Sequence, residues 1–256
     1  MAPDIQWLVI NLDRSITRWQ QIEAQGFRLG LRFCRVPAIC RATLSPQQLQ
    51  AARQHRFKRR LSDGELACAL SHRKAMQCFL DSGADYCVIL EDDALLSDRI
   101  KGAVAALAVQ HQACRQQWDL LKLDGSRGRR FVHDQVSADL ELVEYFFEPP
   151  PSAMAVLISR RFASHFLRTV AIPTRPIDED YKHHWACGFK LKSVHPALAR
   201  SAQLPSEIGA RGKRAPLHLN AYYMLRLMAG LLSHYFQSYR TAKLIRILFH
   251  RSVSVA

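Results

Sequence analysis

YCVILEDDA, residues 86 to 94, sets five apolar residues directly against three carboxylates. An apolar run without polar interruption suits a strand buried on both faces, the habit of an open α/β sheet rather than of a one-sided antiparallel layer. Upstream, Ser62-Asp63-Gly64-Glu65 has capping-box spacing and predicts a helix to about Ser82, closed by Gly83. Further out, Trp7–Leu12 and Leu31–Ala38 read as strands, with a helix between them that Ser15 caps and Gly26 ends. Beyond the acids, residues 98–117 predict a helix, and 119–123, 140–147 and 153–158 predict strands. Ser159 or Arg160 then opens a helix to about Thr169. This alternation predicts an open α/β sheet with helices on both faces. Ligands of such sheets bind beyond the carboxyl ends of the strands. Asn11–Arg14 and Glu91–Asp93 are therefore expected on one sheet edge, although about eighty positions separate them.

Three carboxylates at a strand terminus repel one another, and burying them unpaired is costly. A divalent cation relieves that repulsion, and hard oxygen ligands suit Mg²⁺ or Mn²⁺. In extended backbone, residues i and i+2 point the same way, so Glu91 and Asp93 can face one ligand. A solvated acidic turn, or a cap for the next helix, explains the same spacing.

The seven cysteines are scattered without CxxC pairs, so neither a zinc site nor a disulfide framework is expected. They read as reduced, mostly buried thiols in a cytoplasmic protein. No segment resembles a secretory leader, and no run of eighteen uncharged residues predicts a membrane span. The formal charge of +14 is unevenly placed, for no acid follows Glu207, and eight Lys or Arg lie beyond it. Arg53, Arg56, Lys58, Arg59 and Arg60 form a second basic cluster. Such surfaces attract polyanions, whether nucleic acid, anionic lipid or a phosphorylated glycolipid.

INLDRS with Arg18 at residues 10–18, GELACALSH at 64–72 and VILEDDA at 88–94 resemble the three signature blocks of glycosyltransferase family 25. Residues 153–159, 176–178 and 205–208 follow the same family order, so the resemblance spans roughly residues 5 to 210. It departs at Ala67, where the family commonly has glycine. The resemblance implies a GT-A-like open twisted mixed sheet with flanking helices. It also implies a UDP-sugar donor, usually UDP-galactose, a lipooligosaccharide-type acceptor, and transfer with inversion. By the same resemblance, Asp93 and Glu91 hold Mn²⁺ or Mg²⁺, with Asp92 or Glu91 against the ribose or a metal-bound water. Asn11, Asp13 and Arg14 fall where the family places its uridine pocket, with Arg18 behind them. Glu65 and His72 become donor-side candidates, although a capping box and a packed helix explain them structurally. Lys122 is a candidate for the diphosphate. The general base implied is Asp178, with Asp180 and Asp124 in reserve, although Asp178 could also cap a helix ending at Gly188. His183, His184 and His195 are candidates for a third metal ligand.

The catalytic part is thus expected over residues 1–210, followed by a basic helical tail at 211–256. Within that tail, residues 239–249 alternate apolar and basic residues at helical spacing and predict a helix lying on anionic lipid at the inner face of a membrane. The competing account is a basic nucleic-acid- or membrane-binding module without catalysis. It leaves the buried strand and its three acids unexplained, and no nucleic-acid motif or glycine-rich phosphate loop is present.

Overall fold

The computed structural model describes residues 2–54, 61–114, 117–125, 130–145, 149 and 151–204. The expected basic tail lies outside the described residues, as does the boundary at 210.

The acid-ended run forms strand β3 (Tyr86–Glu91), whose five apolar residues are all buried. Beside it lies β1 (Ile5–Asn11), paired in parallel with Ile10 opposite Glu91. Strand β2 (Cys34–Pro37) adds a third parallel member on the other side of β1. On the far side of β3 the sheet turns mixed. Strand β8 (Ala155–Ser159) enters antiparallel between β3 and β5 (Leu120–Lys122). Strand β9 (Leu191–His195) lies parallel to β5, and β7 (Leu140–Tyr145) and β6 (Arg130–Ser137) follow antiparallel. The eight strands run β2-β1-β3-β8-β5-β9-β7-β6, and β4 (Ala94–Leu96) pairs separately with β10 (Ala199–Ser201).

Successive residues of each central strand enter opposite cores, as the two-residue period requires. Trp7, Val9, Val88, Leu90, Leu121 and Leu157 pack on the face covered by α1 (Ile16–Arg28) and α4 (Ile100–Ala113). Leu8, Ile10, Cys87, Ile89, Leu120 and Val156 pack on the other face, under α3 (Asp63–Ser82) and α5 (Arg160–Thr169). This is the open mixed α/β sheet expected, with helices on both faces.

Helix α3 starts at the capping box read from the sequence. Ser62 Oγ accepts from Glu65 N at 3.3 Å, and Glu65 Oε2 accepts from Ser62 N at 2.9 Å. Gly83 ends the helix at φ +80°, where a side chain would be strained.

Other boundaries moved. Helix α1 runs through Gly26, where glycine serves packing and not termination, since a Cβ would meet the Phe33 ring at 2.7 Å; the positive-φ turn falls on Gly30 instead. Helix α2 (Pro46–Gln54) and strands β4, β6, β9 and β10 carry no strong periodicity and were not anticipated. The thiols are also less sequestered than expected. Cys87 is buried, Cys34 and Cys114 are exposed, and the other four are intermediate, because they sit on strand edges and helix flanks as well as in the core.

Candidate functional site

A cleft opens beyond the carboxyl ends of β1 and β3, lined by Arg14, Arg18, Arg41, Cys68, His72 and all three acids of the Glu91–Asp93 turn. The parallel pairing of β1 and β3 places the two sequence blocks side by side.

Each acid has a different environment. Asp92 is tied down: Asn11 Nδ2 donates to Oδ2 at 2.7 Å, and Arg18 Nη1 pairs with Oδ1 at 3.2 Å. Asn11 is itself buried and held on its other side by Arg35 Nε at 2.8 Å. Glu91 turns toward α3, with Oε1 3.2 Å from His72 Nε2 and 3.9 Å from Cys68 Sγ. Asp93 accepts from Ser201 Oγ at 3.0 Å through Oδ2, and its main-chain oxygen accepts from Ala202 N at 2.8 Å. Its Oδ1 is buried with no hydrogen-bond partner. Burial first, and then the Glu91 charge, push the Asp93 carboxyl above its ordinary range. An orphaned carboxylate oxygen beside a second carboxylate is a donor set of the kind that suits a hard cation.

The remaining candidates divide into two groups. Arg14 is at the cleft, with Nη1 3.3 Å from Cys40 Sγ. Asp13 is exposed and pairs with Arg35 at 3.1 Å, outside the cleft lining. Glu65 is spent on the capping box and does not line the cleft either. Lys122 is buried, 4.0 Å from Asp124, and desolvation lowers its pKa. Asp178 lies near it at the start of α6 (Ile177–Lys182), where Pro176 and not Asp178 holds the capping position. Burial and the Glu179 charge raise the Asp178 carboxyl. The charges of Asp178 and Glu91 both reach Cys68, so this second cluster adjoins the cleft without lining it.

The expected helix to Cys187 is broken at His183 into α6 and α7 (His184–Cys187). His183, His184 and His195 do not line the cleft, and the histidine that does is His72. Sequence reading missed Arg41, Cys68 and Ser201. Only Cys68 had a signal, its i,i+4 spacing from His72 on one helix face.

Asp180 is almost wholly buried on α6, where desolvation lifts its pKa to about 7 despite Arg175 Nε 2.8 Å away. Neither carboxylate oxygen has hydrogen-bond geometry, so the ion pair offsets the burial cost only in part. Between its ordinary value of 3.8 and about 7 the folded chain holds the extra proton, so stability falls as pH rises through that window. Asp180→Asn is therefore expected to flatten the dependence of the urea midpoint on pH and to raise the midpoint near neutrality and above. A lower midpoint at about pH 8 would show that the Arg175 pair outweighs desolvation there.

The chain belongs to glycosyltransferase family 25 (LPS biosynthesis protein), whose model matches residues 4–169. It is 27% identical over 157 residues to a protein of Bos taurus named probable inactive glycosyltransferase 25 family member 3, a match that covers 55% of this chain and 26% of that one. The chain thus spans about a quarter of that relative's length. Among solved structures, A197 from STIV aligns over 83% of this chain and 100% of its own, with TM-score 0.38 and 11% identity. A glycosyltransferase involved in glycosylation of the major capsid of PBCV-1 aligns over 71% and 67%, with TM-score 0.34 and 8% identity. Mannose-1-phosphate geranyltransferase from Thermus thermophilus aligns over 75% and 73%, with TM-score 0.33 and 11% identity.

Proposed function

We propose that this chain is an inverting, cation-dependent transferase that moves a sugar, galactose first among the candidates, from a UDP-sugar to a glycolipid or oligosaccharide acceptor. The observation that carries this reading is the buried, unpartnered Oδ1 of Asp93, which lines the cleft together with Glu91. Mn²⁺ or Mg²⁺ held by Asp93 and Glu91 would neutralise charge on the departing UDP.

The protein's own groups do the rest. Arg14, Arg18 and Arg41 bring positive charge to the cleft, as a diphosphate needs. Asn11 and Arg18 brace Asp92, which fixes the turn that presents Asp93. Asp178 is the base in this reading, because burial raises its carboxyl toward the range in which it takes up a proton. Asp124, similarly raised by burial, stands in reserve. Among the described residues no helix is long and apolar enough to cross a membrane. Attachment to an anionic surface therefore rests on the sequence of the tail alone.

The test is UDP release from a panel of UDP-sugars with and without Mn²⁺, with an acceptor glycolipid presented on anionic vesicles. Cation-dependent release selective for one donor is the expected result. If no donor is turned over and calorimetry detects neither UDP nor Mn²⁺ binding, the transferase reading fails. A non-catalytic basic binding module would then be the better account.

A further inference from the structure

Helix α3 and strand β3 bring together three ligating groups of mixed chemistry. Cys68 and His72 stand one helical turn apart, and Glu91 faces both from the end of β3. Their sulfur, nitrogen and oxygen donors lie within 4.8 Å of one another, the group of three such side chains found among the described residues. His72 is fully buried, and its second nitrogen, Nδ1, lies 3.4 Å from the Tyr181 hydroxyl.

We propose that Cys68, His72 and Glu91 form a site for a thiophilic divalent cation, Zn²⁺ above all, separate in donor chemistry from the hard oxygen site at Asp93. A thiolate and an imidazole favour zinc or cobalt over magnesium or manganese. Three protein ligands and an open fourth position make up the usual non-structural zinc arrangement. In a tetrahedral zinc site, neighbouring N, O and S donors stand about 3.3–3.6 Å apart. The His72–Glu91 separation of 3.2 Å is already close to that, and the Cys68–Glu91 separation of 3.9 Å needs only a small side-chain rotation. Tyr181 supplies the outer hydrogen bond that fixes the ring of a ligating histidine. On binding, the Cys68 thiol gives its proton to solvent and the sulfur takes the metal in its place. Under the proposed function Glu91 would serve both sites, so zinc here would compete with a hard cation at Asp93 for that ligand. The binding itself stands without the transferase reading.

The experiment uses the full chain, stripped of metal by chelation, kept reduced and titrated with Co²⁺. One equivalent should give a thiolate-to-cobalt charge-transfer band with the strong visible bands of tetrahedral cobalt, and Zn²⁺ should bleach both. Cys68→Ser should abolish the charge-transfer band, and Asp93→Asn should leave it in place. Tyr181→Phe should weaken Co²⁺ binding by about tenfold. Absence of the band at one equivalent, or its persistence in Cys68→Ser, would overturn the site. Should Cys68→Ser fail to fold by circular dichroism, His72→Gln decides: the visible bands shift and affinity falls at least about tenfold, whereas unchanged affinity overturns the proposal. Failure of the UDP-release assay leaves the cobalt bands untouched, so the two readings fail separately.

Discussion

Asp93→Asn should lower cation-dependent UDP release by about a thousandfold while leaving the urea midpoint unchanged or higher. The first half follows from what a divalent cation contributes to a departing diphosphate, several kcal/mol of charge stabilisation, of which Asp93 is the anchor in the proposed function. The second half follows from the ground state of the protein. The Asp93 carboxyl is half-buried next to Glu91, and its pKa is raised, so its ionised form costs the folded chain stability above that pKa. Asparagine removes the charge and can still accept from Ser201 Oγ. A residue that costs stability yet supports activity has the trade-off typical of a functional site. Were release and stability to fall together, Asp93 would be a structural member of the turn. Were stability to rise with release intact, the orphaned oxygen would be a burial cost without a catalytic use.

Much of this site was legible in the sequence because its scaffold is local. The unbroken YCVIL run suits a strand buried on both faces, as found, and the Ser62, Glu65 and Gly83 signals bounded α3 correctly. Parallel pairing then brought Asn11 to Asp92 across 81 positions, a contact that follows from topology once both strands are placed. What escaped depends on the choice of rotamer and on distant loops. The spacing of Glu91 and Asp93 left their separate protein partners unread, although the Glu91 charge still acts on the Asp93 carboxyl. The strand ends at Glu91, which leans to His72 and Cys68, while Asp93 reaches Ser201 on β10, 108 positions away. No periodicity in residues 191–201 announces β9 or β10, so Ser201 had no signal. The role of Asp178 came from the resemblance, and Lys122 was a candidate from its place on the strand at 120–123. The structure sets both in a buried cluster beside the cleft, not in its lining.

Phe162→Ala should destabilise the protein by about 3–5 kcal/mol, the usual cost of emptying a phenylalanine site in a core that cannot collapse around it. Phe162 is fully buried on α5, where Ser159 Oγ holds its main-chain N–H at 3.1 Å. Its ring lies 4.8 Å from Phe189, 5.3 Å from Phe166 and 6.1 Å from Tyr181, so three large neighbours lose a face at once. Phe27→Ala on the exposed face of α1 is the matched control, with an expected change within about 0.5 kcal/mol. Both are read as shifts of the urea midpoint. The location of the loss also tests whether the Asp178 side and the Asp93 side of the proposed site depend on one support, since Tyr181 also reaches Glu91 through His72. Tyr181 belongs to α6, the short helix that carries Asp178, and α6 rests on this aromatic cluster. Asp93 is held from the opposite side by Ser201 and Ala202. At low temperature, with the variant still folded, UDP and Mn²⁺ should bind Phe162→Ala as they bind the parent, while transfer to acceptor falls. If donor binding fell as steeply as transfer, the Tyr181, His72 and Glu91 contacts would carry the loss to the donor side, and the aromatic cluster would support the whole cleft.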